Sequence, residues 1–161
     1  MVRLYASFAP FCDYERLHRA AYDLLYFVLA RDFHLKKEDL VLLKTAEGKP
    51  YFRDVPIHFS VSHTQGLVVV AIGENEVGVD AEKSTRILKS SVAARFLHKE
   101  SAAIGDWVSY ESIGKLFGCG IPYTSNEIAE NYYTKMYSDV SGYVICCATE
   151  EDAFPDSIEI V

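Results

Sequence analysis

The residues Ile57-His58-Phe59-Ser60-Val61-Ser62-His63-Thr64, Gly66-Leu67-Val68-Val69-Val70-Ala71-Ile72 and Val77-Gly78-Val79-Asp80-Ala81-Glu82 carry the reading of the fold. Ile57, Phe59 and Val61 alternate with His58, Ser60 and Ser62, the period of a half-buried strand. Leu67 to Ile72 is continuously apolar and reads as a fully buried strand. Val77, Val79 and Ala81 share one face of a third. Gly66 and the polar run Glu74-Asn75-Glu76 supply the turns, so 57–82 is expected to form a three-stranded antiparallel meander.

Upstream, the first strongly periodic segment runs from about Tyr14 to Phe33. Leu17, Ala20, Ala21, Leu24, Leu25 and Val28 follow helical spacing, and Asp13 stands where an N-cap belongs. Arg16 and Arg19 project one turn apart from this helix, which by itself describes a solvated face. Leu40 to Leu43 is a short apolar run followed by the turn Glu47-Gly48-Lys49-Pro50. Downstream, Ser90 to Leu97 and Asp106 to Phe117 have helical spacing, with Asp106 as expected N-cap and Gly118 just past the end. Tyr133 to Ala148 reads as a hairpin turning at Ser141-Gly142, and Ile158 to Val161 as a candidate edge strand. This succession predicts an α+β fold.

Bulk properties exclude several classes. The 161 residues are half apolar and 24% charged, which suits a folded domain without disulfides or structural metal. A net charge of −7 argues against nucleic acid, which requires a basic face. Apolar runs such as 66–73 are far too short to span a membrane, and 1–10 lacks the pattern of a signal peptide. Cysteines at 12, 119, 146 and 147 contain no C-x-x-C pair, so structural thiols in a reducing, cytoplasmic setting are favoured over a zinc site.

Three features carry candidate chemistry. On a strand, Asp80 and Glu82 point the same way, either as a solvated strand end or as a carboxylate pair for a hard cation such as magnesium. Trp107, Glu111 and Lys115 share one helix face, where Glu111 and Lys115 are either a surface ion pair or, because the Trp turns that face inward, a functional pair. His63 ends a strand, where a surface or capping role is the ordinary one.

The order of five blocks resembles the 4′-phosphopantetheinyl transferases, in their two-lobed, surfactin-synthetase-activating type. These are Gly48-Lys49-Pro50-Tyr51, Phe59 to Thr64, Val77 to Glu82, Arg95-Phe96-Leu97-His98-Lys99-Glu100, and Trp107 to Gly120. The resemblance covers roughly 16–120. It implies a pseudo-twofold α+β fold of two similar small lobes, about 1–83 and 84–161, with coenzyme A between them. It also implies Mg2+-dependent transfer of 4′-phosphopantetheine from coenzyme A to a serine of an acyl or peptidyl carrier protein, with Mn2+ as the alternative ion. By position, Asp80, Glu82 and Glu111 would hold the metal, and Glu111 and Lys115 would be catalytic. Lys49 and His63 would contact coenzyme A phosphates, with Ser62 nearby and Arg16 or Arg19 as helpers. Tyr110 stands where the family usually has lysine, and the chain is short for a two-lobed member. These departures motivate an alternative, a catalytically impaired relative that binds coenzyme A or a carrier protein. An unrelated phosphohydrolase using the same acidic trio is a third reading.

Overall fold

The computed structural model describes residues 1–10, 13–123 and 127–161; Cys12 lies outside them. The chain runs β1 (Arg3–Ala9), α1 (Tyr14–Phe33), β2 (Leu42–Lys44), β3 (Pro50–Phe52), β4 (His58–Thr64), β5 (Gly66–Gly73) and β6 (Val77–Lys83). A short α2 (Ser90–Val92) continues into a π-turn at Ala93–Leu97. Then follow α3 (Ile104–Phe117), β7 (Tyr133–Tyr137), β8 (Tyr143–Thr149) and β9 (Glu159–Ile160). The content is α+β, as the residue pattern predicts, with sheets that are antiparallel apart from the short parallel pairing of β1 with β9. Asp13 caps α1 as expected, its carboxylate accepting from the Arg16 amide at 3.0 Å.

The expected meander does not form. Strands β4 and β5 pair antiparallel, but β5 then pairs with β1, giving the order β4-β5-β1-β9. Strand β6 leaves this sheet and pairs with β8 in a second sheet of order β6-β8-β7. The reason lies in the apolar face of β6. Val77, Val79 and Ala81 pack with Ile145 and Cys147 against Leu4, Ala6, Leu67, Val69 and Ala71 of the first sheet. Stacking the two sheets face to face buries both apolar faces, which an extended single sheet would leave to α1 alone. The boundary between the sheets therefore falls in the turn 74–76.

Each sheet carries a helix on its outer face. Leu17, Ala21, Leu24, Leu25, Val28 and Leu29 of α1 close over Tyr5, Phe59, Val68, Val70 and Ile72. Ile113 and Leu116 of α3 close over Ala148 of the second sheet. Helix α3 begins two residues earlier than its pattern suggests. Its N-cap is Ala103, and Asp106 sits inside the first turn, accepting from the Ala103 amide at 2.9 Å. Gly118 ends the helix in the left-handed conformation, with φ of 68°. The segment at 90–97 is helical only as a short turn and a π-turn. Cys146 and Cys147 point to opposite faces of β8 and are buried free thiols. Among the described residues, no helix is long and apolar enough to cross a membrane.

Candidate functional site

Gly78 makes the site possible. A Cβ at this position would lie 2.0 Å from the Ser112 carbonyl oxygen and 2.5 Å from the Leu116 amide nitrogen. Only a residue without a side chain lets α3 cross β6 this closely. The crossing sets Glu111 and Lys115, one helical turn apart, against Asp80, which is 4% exposed. The Lys115 ammonium donates to Asp80 Oδ1 at 2.8 Å, to the Val79 carbonyl at 3.1 Å and to the Val61 carbonyl at 3.4 Å.

The free edge of β6 meets β4 through hydroxyls rather than backbone pairing. Ser60 Oγ accepts from the Val79 amide at 3.0 Å, and Ser62 Oγ accepts from the Ala81 amide at 3.1 Å. Ser62 Oγ also donates to Asp80 Oδ1 at 2.8 Å. Both serines are buried, at 5% and 4% exposure. The polar face of β4 is thus the joint between the two sheets and not the solvent face that simple alternation suggests.

Asp80 Oδ2 is buried without a hydrogen-bond partner. Beside it, the Glu111 carboxyl is pushed up to about 8, first by burial and then by the Asp80 charge, with Lys115 and Arg86 opposing. Glu82 projects on the same side of β6 as Asp80. It accepts from Thr64 Oγ1 at 3.1 Å and pairs with the Arg86 guanidinium. Among the described residues, no group of three His, Cys, Asp or Glu side chains stands gathered for a metal ion. The donor chemistry nevertheless fits a hard divalent cation: two adjoining carboxyls, an orphaned buried oxygen and a third carboxylate two residues along the strand.

Next to this junction lies a cavity of about 270 Å³, lined in part by Lys49, Pro50, Phe59, Val61, Glu111 and Lys115. Lys49 reaches it from the β2–β3 turn. Its ammonium donates to the Leu116 carbonyl at 2.6 Å and pairs with Glu76. Gly118 serves this arrangement too, because a Cβ there would press on the Lys49 stem at 3.1 Å.

His63 stands half-buried at the end of β4. Its ring lies 4.9 Å from Tyr14 and 5.8 Å from His18, centroid to centroid. Burial, His18 and Lys115 together hold it below the usual histidine range. The residues of α1 that meet His63 are therefore Tyr14 and His18. Arg16 ion-pairs with Asp13 at 3.6 Å and Arg19 is exposed. The missed signal is the aromatic stripe Tyr14, His18, Tyr22 at four-residue spacing. Tyr110 is built into a stack, 4.3 Å from Tyr123 and 5.9 Å from Trp107. Its hydroxyl accepts from the Tyr123 amide at 3.2 Å, fastening the segment after α3 to the helix.

Comparison with known proteins agrees with the sequence blocks. The chain is similar to proteins named 4′-phosphopantetheinyl transferases, which bears out the resemblance to the surfactin-synthetase-activating type. It is 34% identical over 77 residues to 4′-phosphopantetheinyl transferase Sfp of Bacillus subtilis, a match covering 47% of this chain and 34% of that protein. It is 33% identical over 94 residues to 4′-phosphopantetheinyl transferase gsp of Aneurinibacillus migulanus, covering 55% and 39%. With 4′-phosphopantetheinyl transferase psf-1 of Bacillus pumilus the identity is 27% over 115 residues, covering 62% and 49%. The chain thus spans between about a third and a half of the length of these relatives. No family model matches it.

Proposed function

We propose that this chain transfers the 4′-phosphopantetheine group from coenzyme A to a serine hydroxyl of an acyl or peptidyl carrier protein, in a Mg2+-dependent reaction. The observation that carries the reading is the convergence of Asp80, Glu111 and Lys115 at one buried junction beside a cavity that Lys49 also lines. The similarity to proteins named for this transfer points the same way. On this reading the two lobes, expected at about 1–83 and 84–161, correspond to the two helix-on-sheet halves, whose sheets part at the turn 74–76 so that β6 belongs to the second.

Asp80, Glu82 and Glu111 would hold the cation, which when bound neutralises charge on the pyrophosphate oxygens. The carrier serine oxygen attacks the β-phosphorus of coenzyme A. A new P–O bond forms, the bond to the bridging oxygen breaks, and adenosine 3′,5′-bisphosphate leaves. Glu111 would take the serine proton as a carboxylate: its proton affinity is raised by burial and by Asp80, and a cation held beside it would favour the ionised form. Lys115 offsets the negative charge that grows on the phosphoryl and leaving-group oxygens. Lys49 and His63 hold the substrate phosphates, with Arg16 and Arg19 as outlying positive charges.

The test is chromatographic detection of adenosine 3′,5′-bisphosphate when the protein is mixed with coenzyme A, Mg2+ and an apo carrier protein. Its release only when all three are present supports the transfer. Release from coenzyme A without a carrier would point to hydrolysis instead.

A further inference from the structure

The Ser62 hydroxyl has one proton and two lone pairs. The proton goes to Asp80 Oδ1 at 2.8 Å, and a lone pair receives the Ala81 amide hydrogen at 3.1 Å. With the side chain 4% exposed, nothing is left to donate to a phosphate. Ser60 forms the same kind of link one step along the ladder, to the Val79 amide at 3.0 Å. Its position on β4 matches that of Ser62, and its hydroxyl bonds the backbone without gripping a carboxylate. The pair is a built-in comparison: two buried hydroxyls join the same two strands, and one of them also grips the carboxylate.

We infer that Ser62 is a positioning residue, which fixes the Asp80 carboxylate so that Oδ1 faces Lys115 and the buried Oδ2 is left for a divalent cation. The inference rests on the reading of Asp80 as a cation ligand. A carboxylate at a strand junction has free rotation about its last bond unless something holds one oxygen. Ser62 of β4 and Lys115 of α3 both hold Oδ1. Hydrogen bonds of this outer kind change metal affinity about 10- to 100-fold in metalloproteins when they are removed.

The experiment is calorimetric titration of Mn2+ into the full chain and its variants, with coenzyme A binding measured in EDTA and unfolding followed by circular dichroism. Ser62→Ala is expected to weaken Mn2+ binding about tenfold. Ser60→Ala is expected to bind Mn2+ within about twofold of wild type while losing comparable thermal stability, since each variant orphans one backbone amide. Ser62→Thr, which keeps the hydroxyl, should restore most of the affinity. If Ser62→Ala does not fold, Ser62→Cys replaces the hydroxyl with a weak donor of similar size and should show the same loss.

Equal Mn2+ affinity in Ser62→Ala and wild type overturns the inference. So does an equal loss in Ser60→Ala, which would reduce the effect to general loosening of the strand joint. A Ser62→Ala chain that keeps Mn2+ but loses coenzyme A affinity in EDTA would make Ser62 a direct substrate contact. Failure of the wild-type chain to bind Mn2+ would instead overturn the reading of Asp80 as a cation ligand, and the inference with it.

Discussion

Helices α1 and α3 do the same architectural job and do it with opposite chemistry. Each lies on the outer face of a sheet, yet α1 meets its sheet through Leu17, Ala21, Leu24, Leu25, Val28 and Leu29. Helix α3 meets β6 through Gly78 and brings Glu111 and Lys115 onto Asp80. The first seam is apolar at these positions, with the Tyr5 hydroxyl its one buried polar atom without a hydrogen-bond partner among the described residues, and contributes stability. The second tolerates an acid pushed up to about 8 and a buried carboxylate oxygen with no partner. The adjoining carboxyls and part-buried ammonium of the second seam are a cost the first does not carry, which is the ground for placing the proposed chemistry at α3.

Variants at the two seams separate these roles. Glu111→Ala is expected to lower transfer on the order of 10³-fold, since it removes a proposed metal ligand and the proposed base together. The fold should persist, with near wild-type circular dichroism; near wild-type turnover would remove Glu111 from the site. Gly78→Ala should break the second seam itself. Its Cβ would collide with the Ser112 carbonyl, costing about 3 kcal/mol or more in a denaturant titration. Leu25→Ala, at a position with 0% exposure, is expected to cost about 3 kcal/mol and to leave Mn2+ affinity within about twofold of wild type. A change in metal affinity at that distance would deny the division of labour.

The smallest effect concerns pH. Burial and the Asp80 charge push the Glu111 carboxyl up to about 8 in the folded chain, whereas in the unfolded chain it returns to the ordinary carboxylate range near 4.5. The proton uptake of the folded state means that this group's contribution is fully present below pH 4.5 and is lost as pH rises through about 8. Glu111→Gln should therefore flatten the fall in Tm between about pH 5 and about pH 8.5, by a few degrees. Identical pH profiles for wild type and Glu111→Gln would contradict the burial and repulsion assigned to this carboxyl. Mg2+ added at the upper pH should stabilise wild type and not the glutamine variant.

Much of this contrast is legible in the sequence, because local periodicity and capping fix α1, the hairpin β7–β8 and the end of α3 at Gly118. The shared side of Asp80 and Glu82, and of Glu111 and Lys115, follows from strand and helix periods alone. Pairing partners do not. Strand β6 reads as the third strand of a meander, and only the tertiary stacking of two apolar faces sends it to β8. Strand β1 gives little periodic signal, because Leu4, Tyr5 and Ala6 are buried in succession between α1 and the second sheet. Ser60 and Ser62 look like solvent-facing residues because a hydroxyl that stands in for a strand partner has the same pattern as one facing water. Likewise, the approach of Tyr14 and His18 to His63 depends on how α1 lies across β4, which spacing within the helix cannot specify.

The most direct test is intact-mass spectrometry of a panel of apo carrier proteins incubated with this chain, coenzyme A and Mg2+, with Glu111→Ala in parallel. The account predicts a mass gain of one phosphopantetheine group on at least one carrier, lost with EDTA, with mutation of the carrier serine and with Glu111→Ala. No gain on any carrier, from a chain that binds coenzyme A, would contradict it and make the second seam a binding site without transfer.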